Sequence, residues 1–78
     1  MSGEEVAELL KEEMAELVEA IAEGAESAYE ELKELIEDAG DEKEELIEIL
    51  KGVIEMMKDA GRITLETYRE IIERIEGL

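Results

Sequence analysis

Carboxylates are the only chemistry-bearing side chains present in number: 22 glutamates and three aspartates stand against eight lysines and arginines. Carboxylates can pair as general acid and base, hold a divalent cation, or face water on a helix. The first role needs two carboxyls in different environments within one pocket, and nothing in the sequence sets a pair apart in that way. Nucleophilic chemistry lacks its base, because His is absent and neither Ser2 nor Ser27 has a triad partner. Both serines read better as helix caps. With Cys absent as well, there is no thiol nucleophile, disulfide or zinc site. The expectation is a non-enzyme without catalytic residues, metal site or cofactor.

Three features depart from a plain solvated surface. Glu13 projects inside the apolar arc of the first helix, bracketed by Leu9, Leu10, Leu17 and Ala20. A lone carboxylate buried there would need a cation or carry a raised pKa, whereas at the edge of the seam it reaches water. Gly52 sits in the middle of a helix, where it is less favourable than Ala by roughly 1 kcal/mol. With Ile49 and Met56 it forms a strip that admits a backbone at close range, either an internal helix crossing or a docked partner helix. Met14, Met56 and Met57 are adaptable side chains, suited to a groove that repacks or to filling irregular gaps in a core. Glu13, Met14, Ile49, Gly52 and Met56 are therefore the candidate groove for a partner helix.

A formal charge of −17 decides several partners by sign. It repels phosphate backbones and anionic headgroups, so neither nucleic acid nor a membrane surface is expected. A basic peptide, a basic protein surface or divalent cations remain compatible with it. No stretch approaches the roughly 20 apolar residues that span a bilayer, and the N-terminus lacks a signal-peptide core, so the expectation is a soluble chain without a targeting signal. The length suits one helical domain over residues 1–78 with a small core.

Glycine punctuates the chain. Gly3, Gly40 and Gly77 lie 37 residues apart, as do Gly24 and Gly61, and Ser27 and Thr64 repeat at the same interval. Glycine just past a helix end closes it in the left-handed conformation, and Ser, Thr or Asp then caps the next start. The pattern predicts helices over 3–23, 28–39, 42–60 and 65–76. Ser2 with Glu5, Ser27 with Glu30 and Asp41 with Glu44 have capping-box spacing, and Ile63 with Tyr68 has that of a hydrophobic staple before Thr64. The two halves repeat an architecture rather than a sequence, and two units fall short of a solenoid.

A second parse keeps an apolar period near 3.5 through Gly24, from Leu10 to Ala39, which would make residues 3–39 one helix of about 55 Å. The repeated Gly24–Ser27 and Gly61–Thr64 interval favours the break. Projection at 100° per residue gives wide stripes on the long helices: Val6, Leu9, Leu10, Met14, Leu17, Val18 and Ile21, then Leu46, Ile47, Ile49, Leu50, Val53, Ile54, Met56 and Met57. Narrower faces follow on the short ones, with Ala28, Leu32, Leu35, Ile36 and Ala39 on one and Leu65, Tyr68, Ile71, Ile72 and Ile75 on the other. The expected fold is all-α, a compact antiparallel four-helix bundle with alternating long and short helices; three helices are the alternative.

The reduced alphabet of Glu, Ala, Leu, Ile and Lys, with glycine and capping residues at the loops, resembles that of computationally designed helical bundle miniproteins. That resemblance implies a structural scaffold without natural activity, needing no partner. The alternative is a binding module whose acidic-rimmed apolar groove receives a basic amphipathic helix, or a chain that self-associates. In outline the chain also resembles a pair of EF-hands. Glu19, Glu23, Ser27 and Glu30 fall in register with calcium-ligand positions around Gly24, although Ile21 takes another such position and Met56, Lys58, Ala60 and Thr67 occupy the ligand positions around Gly61. Gly24-Ala25-Glu26-Ser27-Ala28 resembles loosely the segment of acyl carrier proteins that carries a phosphopantetheine on serine, with Ala28 where Leu is expected.

Overall fold

A computed structural model describes residues 3–78, the side chains of Glu4, Val6 and Ala7 excepted. The capping box expected at Ser2 and Glu5 and the core position expected for Val6 thus lie outside the described residues. The chain forms α1 (Gly3–Ala22), α2 (Glu26–Asp38), a single 3-10 turn (Gly40–Glu42), α3 (Lys43–Asp59) and α4 (Leu65–Glu76), of 20, 13, 3, 17 and 12 residues. Long and short helices alternate. Residues 3–39 are not one helix, because Gly24 takes φ +96° and ends α1.

Gly24 and Gly61 close their helices by the same pair of hydrogen bonds. The Ala25 N–H donates to the Ala20 carbonyl and the Gly24 N–H to that of Ile21, both at 3.0 Å. Arg62 donates to Met57 at 2.9 Å and Gly61 to Lys58 at 3.0 Å. This is the Schellman closure, which satisfies carbonyls at a helix end and needs a residue at positive φ; Gly61 supplies it at +75°.

Helix starts follow the sequence less closely. Thr64 caps α4 as expected, accepting from the Thr67 N–H at 3.1 Å. At α2, however, Ala25 is the capping residue, without a side-chain bond, and Ser27 lies exposed inside the first turn. Ala25 is extended and Glu26 is already helical, so α2 begins before Ser27 can act as its cap. The Asp41 box fails for a related reason: Gly40–Glu42 turns directly into α3, and Glu42, at φ −93° and ψ 7°, lacks the extended conformation that usually precedes a capped start.

The core is entirely apolar among the described residues. Met14, Val18 and Ile21 of α1 meet Ala28, Leu32 and Ile36 of α2, Leu50, Val53, Ile54 and Met57 of α3, Ile63 of the last loop, and Ile71 and Ile75 of α4. Burying one such Leu or Ile stabilises the fold by about 1.5–3 kcal/mol. The stripes are covered more narrowly than projection predicted, since Leu9 is 52 % exposed, Met56 70 % and Leu65 52 %. Glu13 is exposed as well. It lies on the flank of α1 that also carries Leu9, and that flank faces water.

Ion pairs and polar contacts orient the helices. As α1 advances from Leu10 to Glu19, its neighbours advance from Leu46 and Ile49 to Arg62, so α1 and α3 run the same way. Lys43 donates to the Leu78 carbonyl at 2.7 Å and Lys51 pairs with Glu76 at 3.7 Å, contacts that show α4 running antiparallel to α3. Arg62 pairs with Glu19, joining the last loop to α1. Arg74 pairs with Glu26 at 2.9 Å while its guanidinium lies 3.8 Å from the centre of the Tyr29 ring. The hydrogen bond to Glu26 raises the Arg74 pKa above its ordinary value, against an opposing effect of burial. The bond ties the start of α2 to the end of α4.

Candidate functional site

Two open recesses flank the contact of α1 with α3. The larger, about 520 Å³, lies where α1, the end of α2 and the start of α3 meet. Its apolar surface comes from Leu10, Leu35, Ala39, Leu46 and Ile49, and its charged lining residues are Asp38, Glu42 and Glu45. The wide apolar stripe of α3 produces this surface: Leu50 and Ile54 are fully buried, while Leu46 and Ile49, farther round the helix, are only partly covered. Carboxylates surround the recess because the 3-10 turn and the first turns of α3 are acidic.

The smaller recess, about 250 Å³, is lined by Ala15 of α1, by Val53, Met56, Met57 and Ala60, and by Glu8, Glu12, Lys11 and Arg62. Its rim therefore mixes both signs. A third recess, at the last loop, includes Glu19, Thr64 and Thr67 and is crossed by the Arg62–Glu19 pair.

The five candidate groove residues do not act as one set. Ile49 borders the larger recess and Met56 the smaller. Gly52 is exposed between them on α3, and a Cβ built on it meets no atom within 4 Å, so no internal helix crosses there. Met14 is fully buried in the core and is unavailable to an open groove. Glu13, though exposed, borders neither recess. Sequence reasoning missed Leu10, Leu35 and Leu46 together with the three acidic residues. Each of the three leucines lies on the apolar stripe of its own helix and is only partly buried, and no pattern within one helix shows that the three meet.

The residues in calcium-loop register are dispersed. Glu19 is paired with Arg62, Ile21 is buried, and Ser27 and Glu30 lie within α2. Among the described residues no three acidic side chains are grouped to hold a metal ion, and no helix is long and apolar enough to cross a membrane. No family model, curated protein or solved structure matches the chain.

Proposed function

We propose that the chain is a structural scaffold, a designed helical bundle without a natural biochemical activity. The observation that carries this reading is the use of its cations: Lys43, Lys51, Arg62 and Arg74 each tie one element to another. These four cations serve the fold, joining elements within the chain. The reduced alphabet supports the same reading, as does the repeated glycine closure. Size-exclusion chromatography with light scattering tests it. A monomer mass across dilution is expected, and a mass that falls on dilution overturns the reading.

A second reading, a binding module, is favoured by the larger recess, whose charged residues Asp38, Glu42 and Glu45 are all acidic. The apolar surface would supply affinity for a basic amphipathic helix, and the acidic residues orientation and association rate. Saturable binding of such a helix moves the assignment from scaffold to binding module. The charge of −17 directs that search away from nucleic acid.

A further inference from the structure

We propose that the larger recess and the adjoining edge of α3 form one docking track for a basic amphipathic helix, with Gly52 the point of closest backbone approach. The inference rests on the binding-module reading and adds the register of the occupant. Its starting point is that the fold has no use for this glycine. Gly52 lies inside α3 without a positive φ, and the space around it accepts a Cβ. Alanine would fit and would favour the helix, so the glycine answers no internal demand.

What the missing side chain does is lower the surface between two apolar residues. Ile49, three positions earlier, borders the recess; Met56, four positions later, is 70 % exposed. All three share one face of α3. A helix laid along that face approaches nearest where no Cβ intervenes. It places an apolar anchor beside Leu10, Leu35 and Leu46, and it packs another side chain against Met56, whose flexible thioether adapts to its shape.

Charge selects the occupant. Asp38, Glu42 and Glu45 lie at the recess end of the track, so lysines and arginines flanking the apolar stripe of the partner meet carboxylates there. A second copy of this chain, itself at −17, would set acidic faces against the same carboxylates.

The test is fluorescence anisotropy with a labelled peptide of about 20 residues, long enough to follow α3 end to end, carrying a Leu stripe and a Lys face. The same peptide with Glu in place of Lys is the charge control. The full chain is expected to bind the Lys peptide saturably, one to one, and not the Glu peptide. Gly52→Trp is expected to weaken binding about tenfold or more, the equivalent of ~1.4 kcal/mol. Gly52→Ala is expected to weaken it less while raising the urea midpoint, which separates lost binding from lost folding. No saturable binding to the unaltered chain overturns both this inference and the binding-module reading. Binding unchanged by Gly52→Trp overturns the inference alone, and if Glu12→Lys then weakens it the site is the smaller recess. Self-association of the peptide-free chain that Gly52→Trp abolishes assigns the edge to a second copy and overturns the proposal.

Discussion

At Gly24 and at Gly61, 37 residues apart, the chain leaves a helix by the same hydrogen bonds and then enters the next one differently. After Gly24 a single residue, Ala25, precedes α2, and no side chain caps its start. After Gly61 the chain runs through Arg62, Ile63 and Thr64 before α4; Ile63 is buried and Thr64 caps the helix. The longer connection exists because it delivers an isoleucine to the core. Thr64 then falls where the backbone is still extended, and Ser27, at the same offset from its glycine, falls where it is already helical. In place of a cap, α2 has Glu26 in its first turn, where a negative charge complements the helix dipole, and Arg74 holds that carboxylate from α4. Identical helix exits thus do not fix how the next helix begins.

The largest effect that can break this comparison is at Ile63. Ile63→Ala is expected to destabilise by about 2–5 kcal/mol in urea unfolding, because it leaves a cavity in the core. Ala25→Gly, the nearest counterpart in the first connection, is expected to lose less than about 1 kcal/mol, since only a half-buried methyl goes. Next come the glycines. Gly24→Ala and Gly61→Ala each force a Cβ into the left-handed region and are expected to lose about 1–2 kcal/mol alike. A marked inequality would show that the two closures are not equivalent.

Caps follow. Thr64→Ala is expected to lose ~1 kcal/mol and Ser27→Ala to stay within about 0.5 kcal/mol. Equal losses would place a working cap at Ser27 and contradict the observed start of α2. The smallest effect is at the partly exposed Glu26–Arg74 pair. A double-mutant cycle with Glu26→Gln and Arg74→Gln is expected to give less than about 1 kcal/mol, reduced further by added salt.

Much of the fold was legible in the residues. Glycine spacing places every helix end within about two residues of its observed position, Thr64 reads as a cap and is one, and the recurrence of Gly24 at Gly61 marks the break after α1. The failed boxes at Ser27 and Asp41 show the limit of local patterns, which register a capping side chain without the length and conformation of the connection before it. Leu9, Met56, Leu65 and Glu13 show another limit. Projection gives the angular position of a residue on its own helix, but coverage depends on where the neighbouring helices lie. Ile49 was legible as a groove residue from its spacing to Gly52 and Met56, and it borders the larger recess. The meeting of Leu10, Leu35 and Leu46 was not legible, since three helices bring them together, and Met14 takes the core place that its position in the stripe of α1 gives it rather than a place in a groove.

The central claim is that a single chain holds this bundle through its apolar core, with the ion pairs between elements adding little. Equilibrium urea unfolding followed by helical circular dichroism, repeated over a wide range of protein concentration, tests it most directly. One cooperative transition with a midpoint independent of concentration is the predicted result. A midpoint that climbs with protein concentration would contradict it, because the fold would then depend on assembly.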